Sequence, residues 1–496
     1  MKKELFFTSL RAVFVGTVFL SFQQLEAQNN SISINWSNTT IVSKTTSTLQ
    51  LVENPMVRNS SPLHTATFKA LKQLGADYVR YVPWFPYPKM AVAELKQPSG
   101  DKTFWDFTYL DSTMSAFMEA TEGHSVIINF STTPAWMWKT GSVVTYPDDP
   151  YQTCWNYNQG TELRDPSLSE LSNYYVRLFS WYTKGGFTDE LGKFHKSDHH
   201  YKIPYWEVLN EPDLEHNIGP ELYTRIYDNI VTALKKISPE TKFIGLALAN
   251  INNPAWFEYF LNPENHQPGV PLEGISYHFY GLPDNSKETI DNYPYSFFNQ
   301  ANGFVDKVRY IESIRKRLAP QTFTTIDEIG NFLSRDGVNE SIPEAYWNLS
   351  GAMYAYVNLE LSRIGIDVTG ESQLVGYPTQ FPSVSMMNWK NGKPNARYWV
   401  LKLLKENFEP GDKLVNTRSN TSAVAAQGFI TKNGKKLLLI NKGNEEVPLR
   451  LPEEAKGARI SFVDMTTGDD LPSKETLSAA SVKLNPFSVA VVQFKD

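Results

Sequence analysis

Cysteine is almost missing from this chain: Cys154 is the single one in 496 residues, so no intramolecular disulfide can form. A chain with 41% apolar and 13% aromatic residues holds enough material for a large core without one. Cys154 sits in "YQTCWNYN" and is expected to be a buried, inert thiol rather than a nucleophile or a lipidation site. A dominant charge is also lacking. The net charge of −6 is spread along the chain and no basic stripe is present, which argues against nucleic acid as a partner. No glycine-rich phosphate loop follows any strand candidate, which counts against a nucleotide-binding fold. The pair His199-His200 in "KSDHHYK" has no carboxylate at helical spacing and reads as a solvated loop, so no metal site is expected.

Long apolar runs are scarce as well. The single candidate, Ala12 to Phe22 ("AVFVGTVFLSF"), follows Lys2 and Lys3 and precedes "QQLEAQNN". That is the pattern of a secretory signal cleaved near Ala27, although Arg11 interrupts the run and Leu25 is bulky for its position. The alternative, an uncleaved anchor, meets a run too short to span a bilayer comfortably. The protein is therefore expected to be secreted or periplasmic, with no membrane association after cleavage.

From Leu71 onward, short apolar strands alternate with amphipathic helices. Strand candidates are Tyr78 to Val82, Ser125 to Phe130, Tyr205 to Leu209, Phe243 to Leu248, Ile275 to Phe279, Phe323 to Glu328 and Ile366 to Thr369. Leu110, Met114, Phe117 and Met118 mark one helix between them, and Leu222, Ile226, Ile230 and Leu234 another. Alternation of this kind predicts an α/β fold, a closed (β/α)8 TIM barrel of about eight units. After Glu409 the texture changes to short strands joined by turns such as "KNGK", an all-β module of β-sandwich type. The expected division is a signal peptide over 1–27, a β segment over 28–60 that joins the sandwich, the barrel over 61–408 and the sandwich over 409–496.

Two strands end unusually. Tyr205 to Leu209 runs straight into Asn210, Glu211 and Pro212, and "TTIDEIGN" places Glu328 at the end of a second strand. Taken as the fourth and seventh barrel strands, they would bring two carboxyls face to face across the C-terminal mouth, where barrel side chains leave the packed interior. Cleavage of a glycosidic bond needs such a pair, one neutral acid and one carboxylate at the anomeric carbon. Apolar neighbours such as Trp206 would help to keep Glu211 protonated. The competing reading is a pair of structural carboxylates.

"WEVLNEPD" and "TTIDEIG" resemble the two catalytic strands of retaining glycoside hydrolases of clan A. "FWDFTYLDSTMSAFMEA", "SVIINFSTTPAWM" and "MMNWKNGKPNARYWVLKLL" extend the likeness to family 39, which includes β-xylosidases and α-L-iduronidases, over Leu71 to Phe408. The resemblance implies Glu211 as general acid/base and Glu328 as nucleophile. It implies Asn210 as a partner of the sugar hydroxyl beside the anomeric carbon, and His278 or Tyr280 as groups that orient Glu328 and touch the sugar. Arg80 would lie beneath the nucleophile. Family members usually carry a Trp on the last strand, whereas "IDVTGESQ" has no aromatic; Glu371 or Gln373 would take a polar role there. Trp84, Phe85, Tyr87, Trp136 and Trp138 are candidates for stacking on sugar rings or for packing under loops. The implied partner is an oligo- or polysaccharide, and no cofactor is required. A catalytically silent carbohydrate-binding barrel and a transglycosylase using the same residues remain open.

Overall fold

The computed structural model describes residues 30–285, 287–333, 342–376 and 381–495. The signal-like segment over 1–27 lies outside the described residues. Among them, no helix is long and apolar enough to cross a membrane.

Eight strands close into a barrel: β1 (Thr46–Val52), β2 (Val79–Val82), β3 (Val126–Ile128), β4 (Tyr205–Glu207), β5 (Lys242–Leu248), β6 (Gly274–Gly281), β7 (Phe323–Asn331) and β8 (Val368–Glu371). Each pairs parallel with its neighbours in chain order, and β8 closes onto β1 through Val368 opposite Thr46. A helix follows each strand: α1 (His64–Leu74), α2 (Thr108–Ala120), α3 (Ser169–Thr183), α4 (Pro220–Lys235), α5 (Ala255–Phe260), α6 (Tyr293–Leu318), α7 (Glu344–Ile364) and α8 (Ala396–Asn407). Their apolar spacing explains their docking. In α4, Pro220 opens the first turn, and Tyr223, Ile226, Tyr227, Ile230, Val231 and Leu234 form one buried stripe at three- and four-residue steps. Gly365, at φ 89°, takes the left-handed position that ends α7 and returns the chain toward β8.

The β module carries a seven-stranded antiparallel sheet, in the order Ile32–Val42, Lys413–Ser419, Val424–Thr431, Gly434–Asn441, Val489–Gln493, Arg459–Val463 and Ser473–Thr476. Alternation along its strands gives it two apolar faces. Leu437, Leu439, Ala490 and Val492 pack against the two-stranded sheet of Val447–Arg450 and Ser481–Leu484, which makes the sandwich. Leu438, Ile440, Val489 and Val491 face the other way and join the barrel's own core. The Phe408 and Phe429 rings meet at 4.2 Å, and Arg363 of α7 donates to Gln427 Oε1 (3.0 Å) and the Ala426 carbonyl (2.8 Å).

One expected boundary is corrected here. Within 28–60, the strand Ile32–Val42 joins the sandwich sheet, but Thr46–Val52 is β1 of the barrel, so the barrel begins well before residue 61. The physical difference is burial. Ile32–Val42 pairs along one edge with an exposed outer face, whereas β1 is buried along most of its length between β8 and β2.

Candidate active site

The C-terminal ends of the strands surround a cavity of about 620 Å³ lined by, among others, Gln50, Asn210, Glu211, Tyr280, Glu328 and Gln373. The ladder of β4 stops at Glu207, and the chain then turns through Leu209 and Glu211, both with left-handed backbone (φ 62° and 41°). Such values are unfavourable for residues with a Cβ and persist where surrounding structure enforces them. Here the Glu211 N–H donates to the Ala247 carbonyl at 2.9 Å, and Ala247 itself lies at the register shift between β5 and β6. That is why an apolar strand can end by presenting an amide and a carboxyl together.

In β7 the register slips between Thr325 and Glu328, a bulge that lets consecutive carboxyls, Asp327 and Glu328, both approach Arg80. Neighbouring β8 passes close by: a Cβ on Gly370 would lie 2.9 Å from the Asp327 carbonyl oxygen, so only glycine fits.

Arg80, fully buried, organises the floor. Its Nε donates to Glu207 Oε2 (2.5 Å), Nη1 to Gln50 Oε1 (2.9 Å) and Glu328 Oε1 (2.5 Å), and Nη2 to Asn210 Oδ1 (2.6 Å). Glu207 also accepts from Asn129 Nδ2 (2.5 Å) and from the Ser276 hydroxyl. Tyr280 donates its hydroxyl to Glu328 Oε2 (2.5 Å) and meets Ser372 Oγ at 2.7 Å, and Ser372 in turn accepts from Gln50 Nε2 (2.8 Å). Both oxygens of Glu328 are thereby fixed. His278 Nδ1 lies 2.8 Å from Glu211 Oε1, while its Nε2 is 3.7 Å from Glu328 Oε1.

The two carboxyls are shifted in opposite directions. Burial raises the Glu211 pKa, and the Glu328 and Asp213 charges add to it against the opposing His278 interactions. Burial works the same way on Glu328, but the charges of His278 and Arg80 and the Tyr280 hydrogen bond outweigh it and hold that carboxyl below its ordinary value. Burial pulls the His278 imidazole down, yet Glu328 and Glu211 lift it to about 9. One oxygen from each glutamate and one His278 nitrogen lie within 4.8 Å of one another. Such a trio has the donor types of a metal site, but these atoms are already engaged with Arg80, Tyr280 and one another, and the adjacent guanidinium opposes a second cation.

Of the residues singled out in the sequence, Asn210, Glu211, Tyr280 and Glu328 line the cavity, and Arg80 lies directly beneath them. His278 is brought to the pair, though buried behind it and hydrogen-bonded to Glu211 rather than orienting Glu328. Two expectations are corrected. Glu371 ends β8 but turns into the core, where Arg397 Nε donates to it at 2.9 Å and burial pushes its carboxyl up to about 8. Its strand mate Gln373 lines the cavity instead. Trp136 is held away from the cavity, its indole donating to the Glu94 carbonyl (2.9 Å) with the Arg164 guanidinium 5.2 Å over its ring. Tyr87 and Trp138 are likewise buried, Trp138 stacked on His216 at 4.2 Å, whereas Trp84 and Phe85 reach the cavity.

Gln50, Glu207, Glu215 and Ser372 were missed. Gln50, Glu207 and Ser372 are polar within or just after an apolar strand, and Glu207 in "YWEVL" is the clearest such signal, because a buried charge needs a partner; Glu215 lies in the turn beyond and carries no such mark. The cavity wall is aromatic: Trp84 packs edge-on against Phe85 (5.1 Å) and Trp155 (5.5 Å), and Tyr280, Phe332 and Phe381 continue the arc.

No family model matches the sequence, and no curated protein matches it. Solved structures do match the fold. A GH39 β-xylosidase from Caulobacter crescentus superposes with a TM-score of 0.59 at 14% identity, covering 94% of this chain and 100% of that one. A GH30 endoxylanase from Clostridium papyrosolvens gives 0.56 at 12% identity, covering 94% and 100%. A conserved exported protein from Bacteroides fragilis gives 0.63 at 12%, covering 93% and 99%. The chain thus has the barrel-plus-β-module fold found in solved glycoside hydrolases.

Proposed function

We propose that this chain is a glycoside hydrolase that cleaves bonds of an oligo- or polysaccharide by double displacement, with retention at the anomeric carbon. The observation that carries the reading is the pair Glu211 and Glu328, whose oxygens lie within 4.8 Å and whose carboxyls are shifted in opposite directions. Retaining enzymes hold their two carboxyls about 5–5.5 Å apart, whereas inverting ones leave about 6.5–9.5 Å for a water.

The ionised Glu328 attacks the anomeric carbon, and the proton of Glu211 passes to the glycosidic oxygen as that bond breaks. Once Glu328 is an ester its charge no longer raises the Glu211 pKa, so Glu211 becomes the stronger acid it must be to act next as a base. It then takes a proton from water, whose oxygen bonds to the anomeric carbon and releases Glu328. Tyr280 and Arg80 hold the nucleophile in place throughout. Asn210, fixed by Arg80 at Oδ1 and by Glu215 at Nδ2, keeps one amide N–H for a substrate hydroxyl. None of these steps calls on a cofactor. The signal-like segment supports export of the enzyme to the substrate.

The test is product release from a panel of aryl glycosides and plant, algal and fungal polysaccharides, with wild type beside Glu328→Gln and Glu211→Ala. Activity that both substitutions reduce by at least about a thousandfold is expected. Activity that survives Glu328→Gln contradicts the assignment, and silence across the panel from folded protein favours a binding role.

A further inference from the structure

The cavity holds a third carboxyl for which the double displacement has no use. Glu215 lies one turn beyond Glu211, its N–H donating to the Glu211 carbonyl at 2.7 Å, and its side chain lines the cavity. Three donors from three segments fix it: Asn210 Nδ2 to Oε1 (2.7 Å), Trp84 Nε1 to Oε1 (2.8 Å) and Gln159 Nε2 to Oε2 (3.0 Å). All three partners donate, so the hydrogen bonds orient Glu215 as an acceptor, against burial and the Glu211 charge, which push its carboxyl up to about 8. Oε1 has both acceptor positions filled by described residues, while Oε2 has one left.

The charges around it point the same way. Among the described residues, the cavity lining includes Glu211, Glu215 and Glu328 but no Lys, Arg or His. Arg80 lies under the floor, already shared among Glu207, Glu328, Gln50 and Asn210. Beside the ionised Glu328 and the acceptor Glu215, with no free cation among the described lining residues, a sugar bearing a carboxylate or sulfate would be desolvated at a strong cost. A sugar hydroxyl, by contrast, is the donor that the remaining position on Oε2 requires.

We propose that Glu215 is a specificity-determining residue that accepts a hydrogen bond from a hydroxyl of the glycone and restricts this cavity to uncharged sugars, excluding uronic acids and sulfated sugars. The inference rests on the glycosidase reading of the same site. The aromatic arc of Trp84, Phe85 and Trp155 complements it by offering ring faces to the C–H surface of a neutral sugar.

The experiment pairs neutral sugars with uronic acids of the same ring configuration: glucose with glucuronic acid, galactose with galacturonic acid, mannose with mannuronic acid. Binding to wild type is read by saturation-transfer NMR, and kcat and KM are read on the matching nitrophenyl glycosides and glycosiduronic acids. At least one neutral sugar is expected to bind, with its uronate roughly 100-fold weaker or undetectable. Glu215→Gln is expected to raise KM for the neutral glycoside about 10- to 100-fold with a smaller change in kcat, and to narrow the neutral-to-uronate ratio. Equal binding of a uronate by wild type, or an unchanged ratio in folded Glu215→Gln, overturns the proposal. The wild-type comparison needs no variant, so misfolding cannot decide the outcome. Cleavage of a glycosiduronic acid would refute the inference and leave the hydrolase reading standing. Selective binding without turnover of any panel member would do the reverse, and no sugar binding at all would remove both.

Discussion

Glu211 and Glu328 are the same amino acid under opposite electrostatic pressure. Glu211 is buried near two other carboxyls, Glu328 and Asp213, so its proton is held more tightly than usual; Glu328 faces His278, Arg80 and the Tyr280 hydroxyl, so it is ionised more easily than usual. The proposed double displacement requires the first protonated and the second ionised. Activity should therefore fall at acid pH, as Glu328 takes up a proton below its ordinary value of 4.5, and at alkaline pH, as Glu211 loses its proton above 4.5. With a dinitrophenyl leaving group, which departs without protonation, Glu211→Gln should lose the alkaline limb of kcat/KM while retaining the acid one. An alkaline limb that persists in Glu211→Gln would assign the acid elsewhere.

At the scale of elements, the site depends on strand ends that depart from ideal geometry. The left-handed turn after β4 and the bulge in β7 aim adjacent polar side chains into one space, which regular strands would send to opposite faces. The glutamates were legible in the sequence because each follows an apolar strand run and the interval between them fits three barrel units, although β7 continues past Glu328 to Asn331 and β4 already stops at Glu207. Glu371 reads the same way, ending β8 in "VTGE", yet its partner Arg397 lies on α8, and pairing of that kind leaves no local trace. Glu371→Ala is accordingly expected to destabilise the fold by about 1–3 kcal/mol, since the buried Arg397 Nε–H loses its acceptor, and to leave KM and kcat little changed below the melting temperature. Thermal melts beside kinetics check this; a folded, inactive variant would return Glu371 to the reaction.

Across the whole molecule, barrel and β module share a core. Leu438, Ile440, Val489 and Val491 of the seven-stranded sheet belong to the same cluster as the barrel helices. The division was legible from the change of texture after Glu409, but β1 was not. Its seven residues follow another strand with little punctuation, and only closure against β8 distinguishes it from the sandwich strand before it. The core also stores protons. Burial, with smaller contributions from neighbours, raises Glu53, Glu94 and Glu371 to about 8, and Glu328 and Glu211 lift His278 to about 9 despite burial. The ordinary value of a glutamate carboxyl is 4.5 and that of histidine 6.5, so between pH 6.5 and 8 the folded chain binds more protons at these groups than the unfolded one. Stability then falls as pH rises through that window. Melting temperature measured from pH 6.5 to 8 should decline; a rise would mean that these carboxyls ionise normally.

Covalent trapping examines the proposed chemistry most directly. An activated glycoside of the preferred sugar, with fluorine on the carbon beside the anomeric centre, slows hydrolysis of the glycosyl ester enough for peptide mass spectrometry. One sugar equivalent on Glu328, with wild type inactivated and Glu328→Gln unlabelled, is the expected result. Label on another residue, or turnover that inverts the anomeric centre without any adduct, would contradict it.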